Sequence, residues 1–381
     1  MPTAPQTALV NGAVLTPAGV VDGQALLIEG GVIVGLVDRA DVPADATTED
    51  LAGGLLVPGL IDTQVNGGGG VLFNDAPTVE TIAAIGAAHR AFGTTGFLPT
   101  LISDDLDVVD AAMRATESAI EAGVPGVLGV HIEGPFLNAQ RKGIHDADKF
   151  RVLDEAAIRL LSSLKRGKTL VTLAPETTTP DMVRRLAQAG VVVAAGHTNA
   201  AYETVKAALA AGLTGFTHLF NAMSPLTSRA PGAVGAALES QEAWCGIIVD
   251  GRHVDPATLR IALRTRPLDR FMLVTDAMPT VGMSDKRFDL QGRRITVQDG
   301  VCVGPDGTLA GSDLDMIGAV RNAVSMLGLS LEQAVMIASA APAAFLGLSA
   351  ERGTIAPGKA ADLVLLDEGR NVVRTWIDGQ G

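Results

Sequence analysis

Four of the six histidines, His131, His197, His218 and His253, stand at or near the ends of short apolar runs. One such run, GVLGV, leads into HIEGPF (131–136), so a strand-like segment that reads as buried finishes on a carboxylate, Glu133. Taken alone, a glutamate there marks where a strand reaches water, because ionised side chains are rarely buried unpaired. A single histidine is likewise most often a hydrogen-bonded structural residue. Their recurrence on successive runs points to chemistry instead. Glu133, His197 and His218 offer one oxygen and two imidazole nitrogens, a donor set that suits a borderline divalent cation such as zinc and leaves a coordination position for water. Such a cation lowers the pKa of a bound water towards ~7 and polarises a carbonyl, which is the chemistry of metal-assisted hydrolysis. A base must then take the water proton and an acid must supply one to the leaving group. Asp276, in LVTDAM at the end of another run, is the candidate for both roles.

A second group of residues concerns the substrate. Arg229 in TSRAPG, with Arg252 and His253 in DGRHV, puts positive or protonatable groups near the same ends, as an anionic substrate requires. The glycine run NGGGG (66–70) could turn backbone N–H groups towards an anion, but a tight turn explains it as well. His145 falls in the loop after HIEGPF, and His89 sits within a helical stretch, where a structural or exposed role is expected.

These residues need a frame that brings distant segments to one place. Between 55 and 278, β-rich runs alternate with amphipathic stretches of helical length, the pattern of parallel strands joined by helical crossovers. The strand candidates are 55–65, 96–102, 126–134, 170–176, 191–197, 215–220, 245–251 and 271–278. Eight such units predict a (β/α)8 TIM barrel, whose C-terminal strand ends form one active-site mouth. Helical candidates lie at 79–93, 107–123, 199–212 and 255–265, several of them closed by glycine. The flanks read as short antiparallel strands separated by Gly, Pro and Asp turns. If both flanks form one small sheet domain, the barrel is inserted within it. Residues 287–310 carry two DG turns and predict a hairpin excursion after the eighth strand. Ser330 and Gln333 then form a capping box for a later helix.

Composition narrows the field. With 381 residues, 47% of them hydrophobic and only 3% aromatic, the chain has ample material for a tightly packed core. A formal charge of −13, with no Lys/Arg-rich stretch, argues against nucleic acid or anionic lipid as partner. The two cysteines, Cys245 and Cys302, have no metal-like spacing and give no disulfide framework, so a reducing cytoplasm is expected. Neither a signal-like N-terminus nor an apolar run of membrane-spanning length is apparent.

The segments PGLIDTQVNGGGG, HIEGPFLNAQRKGIH, LAPE, AAGHTNA, GFTHLFNAM, DGRHV, LVTDAM, GTLAGS and GTIAPGKAADLV together resemble the N-acetylglucosamine-6-phosphate deacetylases of the amidohydrolase superfamily, over essentially the whole chain. The resemblance implies an α/β fold in which a barrel over 55–345 is inserted in a small β-sandwich formed by residues 1–54 and 346–381. It implies that Glu133, His197 and His218 hold the metal, that Asp276 shuttles the proton, and that His145 contacts the acetyl carbonyl. It further implies substrate contacts at Ile144, Asn221, Ala222, His253 and Leu309, Ala310 and Gly311, with Arg229 on the phosphate, in its own site or across a homodimer interface. The sequence departs from many amidohydrolases at one point: Gln64 and Asn66 stand where a His-x-His pair would bind another metal. Neutral amides replace imidazole poorly, so one zinc ion per subunit is expected. The activity implied is release of acetate from N-acetylglucosamine 6-phosphate. An amidohydrolase acting on another amide, or a catalytically dead barrel used as a scaffold, are the competing readings.

Overall fold

The alternation of apolar and amphipathic segments resolves, in a computed structural model that describes residues 6–381, into an eight-stranded parallel sheet with helical crossovers. Its strands are Leu60–Val65, Thr94–Ile102, Gly129–Glu133, Lys168–Leu173, Val192–Ala195, Gly215–Phe216, Trp244–Ile247 and Phe271–Leu273, and they neighbour one another in chain order. Every residue of the first three is buried, as a parallel sheet covered on both faces demands. The side chains of Thr78, Asp154, Thr179, Asp255 and Asp315 each accept a backbone N–H in the first turn of the helix they precede. These N-caps satisfy donors that would otherwise be orphaned and fix where each crossover begins.

The sheet curls until its last strand meets its first. The Asp276 N–H donates to Gln64 O (3.0 Å) and the Asn66 N–H to Ala277 O (2.9 Å). Asp62, fully buried, seals the seam: Oδ1 accepts the N–H groups of Gln64 (3.1 Å) and Thr275 (3.3 Å), and Oδ2 accepts the Thr275 hydroxyl (2.5 Å). Burial pushes its pKa up to about 7 against those hydrogen bonds.

Both chain ends build sheet structure below. A five-stranded sheet joins Ala13–Thr16, Gly19–Val21 and Leu55–Pro58 to Leu363–Leu366 and Val372–Trp376. A four-stranded sheet holds Gln6–Val10, Gln24–Glu29, Val32–Asp38 and Thr47–Asp50. Leu9, Leu26 and Ile33 from one share an apolar cluster with Leu56, Leu363 and Trp376 from the other.

Some boundaries differ from the sequence expectation. The run 55–65 is two strands: 55–58 pairs with both ends of the chain, and only 60–65 enters the parallel sheet. The break is at Gly59, where a Cβ would lie 2.0 Å from Thr95 Oγ1. The sixth and eighth strands stop at Phe216 and Leu273, well short of 220 and 278, because the chain turns sharply at His218 (φ +34), Phe220 (φ +80) and Asp276 (φ +52). The excursion is larger than a hairpin. It forms a four-stranded antiparallel sheet, Arg287–Leu290, Arg293–Gln298, Val301–Val303 and Leu309–Ser312, whose Leu290, Ile295 and Ala310 pack on Ile102, Ile144 and Met278. The capping box at Ser330 and Gln333 is present. Among the described residues no helix is long and apolar enough to cross a membrane.

His89 is buried on the helix Val79–Arg90, with Nε2 donating to Gly67 O (2.9 Å), which pins the turn after the first strand. Burial lowers its pKa to about 4, so the neutral ring is the folded form. A histidine with a depressed folded pKa contributes stability that is complete above its unfolded value, ~6.5, and is lost as pH falls through about 4. The full loss is ~3 kcal/mol. We therefore expect thermal unfolding of the wild type to weaken between pH 6.5 and 4 more steeply than that of His89→Gln, which keeps a donor but cannot titrate. Parallel pH profiles for the two proteins would contradict this.

Candidate active site

The third, fifth and sixth strands deliver three side chains to one point. Glu133 is the last residue of its strand, whereas His197 and His218 each lie two residues beyond theirs, both with positive φ (+46 and +34). Glu133 Oε1 lies 3.1 Å from His197 Nε2 and 3.0 Å from His218 Nε2, and the two nitrogens are 3.1 Å apart. All three residues are buried, and they form the one group of metal-ligating type found among the described residues. Three atoms bound at about 2.0–2.2 Å to one tetrahedral zinc sit roughly 3.4 Å apart, so this triangle matches to within a few tenths of an ångström. The protonation pattern fits as well. His197 Nδ1 is 2.8 Å from Arg141 O and must donate to it, which leaves the Nε2 lone pair facing the triangle. Burial would raise the Glu133 pKa, but hydrogen bonds and charge from His197 and His218 outweigh it and hold the carboxyl well below its ordinary value. For His218 burial works the other way and is again outweighed by Glu133, so its pKa is raised.

Asp276 faces this triangle from the eighth strand end, also with positive φ. Left-handed backbone at three non-glycine residues of one site costs of order 1–3 kcal/mol each and persists only where the surroundings enforce it. For Asp276 they do: its N–H and C=O are held by Gln64 O and the Ser312 N–H, and a Cβ on Gly311 would lie 2.7 Å from its carbonyl oxygen. Burial raises its carboxyl to about 6, with the nearby Glu133 charge adding to the effect. That value suits a group that must take up and return a proton near neutrality.

The side-chain amides of Gln64 and Asn66 are engaged with the two carboxylates. Gln64 Nε2 donates to Glu133 Oε2 and to Asp276 Oδ1 (3.1 Å each), and Asn66 Nδ2 donates to Asp276 Oδ1 (2.6 Å). The two amides thus orient both carboxylates. The glycine run that follows is not an anion cradle, since the N–H groups of Gly67, Gly69 and Gly70 already donate to Ala277, Val281 and Pro279 carbonyls.

A cavity of about 340 Å³ opens over the triangle. Of the residues singled out from the sequence, Glu133, Ile144, His145, His197, His218, Asn221, Ala222, His253, Asp276, Leu309 and Gly311 line it. His145 Nδ1 accepts the Ser103 N–H (3.3 Å), so its Nε2 carries the proton; burial, with His197 beside it, lowers its pKa to about 3. It is a neutral N–H donor at the cavity wall. His253 is oriented by Asp250, whose Oδ2 lies 2.5 Å from Nδ1.

Four candidates lie elsewhere. His131 does not reach the mouth: being two residues before Glu133 it points inward one layer lower, between Thr100 and Thr172 (3.4 and 2.7 Å), and burial holds its pKa near 4. Ala310 is fully buried behind Leu309 and Gly311. Arg252 turns outward to Asp299 (3.3 Å) at a tip of the antiparallel sheet. Arg229 sits exposed on the loop before the helix Gly232–Glu239, away from this cavity. Sequence reasoning passed over Gln140, Arg141, Gly143 and Thr308, which also line the cavity, and Asp250 behind His253. The QRKG segment, basic and just ahead of His145, was the available signal for Arg141.

The chain is similar to known proteins over nearly its whole length. The Amidohydrolase family matches residues 55–380. A Shewanella sp. (strain ANA-3) protein named N-acetylgalactosamine-6-phosphate deacetylase is 44% identical, over 98% of this chain and 95% of its own length. The crystal structure of N-acetylglucosamine-6-phosphate deacetylase from Pasteurella multocida superposes with a TM-score of 0.95 at 34% identity, covering 98% and 99% of the two chains. An aspartate-to-alanine mutant of the Mycobacterium smegmatis deacetylase, in complex with N-acetyl-D-glucosamine 6-phosphate, superposes with a TM-score of 0.89 at 34% identity, covering 99% and 98%.

The donor set predicts one divalent ion per chain. Metal analysis after zinc loading and desalting is expected to give a single equivalent for the wild type and for Gln64→Ala, and none for Glu133→Ala. Two equivalents in the wild type would contradict the reading of Gln64 and Asn66.

Proposed function

The chain belongs to the amidohydrolase family, and on that premise we propose that it hydrolyses the acetamido group of N-acetyl-D-glucosamine 6-phosphate to D-glucosamine 6-phosphate and acetate, in amino-sugar catabolism and recycling. The observation that carries this reading is the placement of Asp276 over three ligand atoms within 3.1 Å of one another. Glu133, His197 and His218 would hold a divalent ion, most suitably zinc, which would supply Lewis acidity for a water and for the amide carbonyl.

The chain's own groups do the rest. Asp276 accepts the water proton and returns it to the departing amine. Gln64 and Asn66 keep its carboxylate aimed while it does so. The Nε2–H of His145 donates to the carbonyl oxygen as negative charge develops there. Asn221, Ala222, His253, Ile144, Leu309 and Gly311 enclose the sugar, with Ala310 shaping the wall from behind, and Arg141 adds positive charge to the cavity wall. Arg229 is too exposed to serve its own cavity, which supports phosphate binding across a homodimer interface. In this reading residues 55–345 form a (β/α)8 barrel inserted in a β-sandwich contributed by 1–54 and 346–381; the cluster shared by the two end sheets supports it. The free, buried thiols of Cys245 and Cys302 suit a cytoplasmic enzyme.

A second substrate reading has its own support. The Shewanella relative is named for the galactosamine sugar, the C4 epimer, and its identity to this chain exceeds that of the Pasteurella structure. Acetate release should be followed with both epimers, with and without the 6-phosphate, before and after chelation. We expect activity on the phosphorylated glucosamine sugar that chelation abolishes and zinc restores. Asp276→Asn should lower kcat by about 10²–10⁴-fold. Faster turnover of the galactosamine epimer would assign the second reading, and a preference for unphosphorylated sugar would defeat both.

A further inference from the structure

We propose that Glu176 is a positioning residue that sets the metal affinity of the site without touching the ion. The proposal rests on the reading of Glu133, His197 and His218 as the metal site. Glu176 belongs to the turn Pro175–Thr177 that follows the fourth strand, and it does not line the cavity. Its carboxylate gathers donors from two other strand ends. Oε1 accepts Asn138 Nδ2–H (2.8 Å) and the Asn199 N–H (2.6 Å), and Oε2 accepts the Thr198 hydroxyl (2.5 Å).

Those partners bracket His197. Thr198 and Asn199 follow it directly. Asn138 opens the loop that carries Arg141 and His145, and its own N–H donates to His197 O (3.0 Å). The same loop fixes the ring, since Arg141 O takes the Nδ1 proton of His197. Asn199 then returns to the loop, accepting from Arg141 Nε at 3.0 Å and donating to Gln140 Oε1 at 2.9 Å. Glu176 is therefore a single carboxylate that joins the left-handed turn at His197, through Thr198 and Asn199, to the loop that orients its imidazole, through Asn138. All three partners donate to Glu176; a glutamine can keep the two N–H groups on its oxygen only if the Thr198 hydroxyl rotates to accept from its NH₂, whereas alanine removes every acceptor. Released from this clamp, the turn relaxes from its strained φ of +46 and His197 Nε2 leaves the triangle. Thr198 also carries the effect further, because its N–H donates to Ala222 O on the substrate side.

Groups that orient metal ligands typically contribute 10–100-fold to metal affinity. The test is zinc affinity by competition with a chromophoric chelator, measured on the full chain for wild type, Glu176→Gln, Glu176→Ala and Glu133→Ala, beside the unfolding temperature of each zinc-free protein. We expect Glu176→Ala to bind zinc 10–100-fold more weakly, and Glu176→Gln more weakly by a smaller factor, while their zinc-free unfolding temperatures stay close to wild type. Thr198→Val, which removes one donor and keeps the carboxylate, is expected to weaken binding by a smaller factor and carries the test if the Glu176 variants do not fold. Wild-type affinity in all three, with zinc binding lost only in Glu133→Ala, would overturn the clamp alone. A merely structural Glu176 would lower the unfolding temperature and leave affinity unchanged, which also overturns it. Absence of zinc binding by the wild type would overturn the site and the clamp together.

Discussion

Everything at the mouth of this fold depends on keeping a carboxylate and two imidazoles of three different strands within about 3 Å of one another, out of water. Such an arrangement is unfavourable on its own. With the His197 proton on Nδ1, the triangle of two imidazole nitrogens and one carboxylate oxygen holds more lone pairs than protons, and Asp276 and the buried Asp62 add carboxyl groups close by. The protein compensates only in part, with neutral donors: the amides of Gln64 and Asn66 and the hydroxyl of Thr275. A cation at the centre resolves the conflict, because it binds both lone pairs and lowers the cost of every buried carboxylate near it.

The same constraint explains why the strands end as they do. Three residues that carry the chemistry, His197, His218 and Asp276, sit in left-handed backbone just past their strands; hydrogen bonds from neighbouring strand ends hold His197 and Asp276, while the Asn221 N–H and the Leu219 N–H to Gly246 O hold the turn at His218. The seam between first and last strand is closed by Asp62 next to Gln64, so the joint that completes the sheet also positions the amides that orient the base. The stability of the fold and the geometry of the site thus draw on the same few bonds.

This shared use governs what the amino-acid sequence reveals. Short, nearly continuous apolar runs between amphipathic helices are long-range regularities, and they disclose eight parallel strands because burial on both faces leaves little freedom in composition. Glu133, His197, His218 and Asp276 stand out because polar groups at the ends of such runs break the pattern. Depth along a strand is harder to read: His131 is as polar, as near a strand end and on the same inward face as Glu133, but one layer of depth separates it from the mouth. Gly59 splits what reads as a single strand, for a reason that lies 36 residues away at Thr95. Arg141 and Glu176 look like ordinary loop residues, since their partners come from other loops and leave no local signature, and Asp250, which binds Arg252 and His253 of its own loop, reads as an ordinary turn aspartate.

The central claim is that one cation completes this site. Anomalous diffraction at the zinc edge from crystals of the zinc-loaded protein measures it directly. The account predicts a single strong peak within bonding distance of Glu133 Oε1, His197 Nε2 and His218 Nε2, with none at Gln64 or Asn66. A peak bonded to a different set of residues, or none in this cavity, would contradict it.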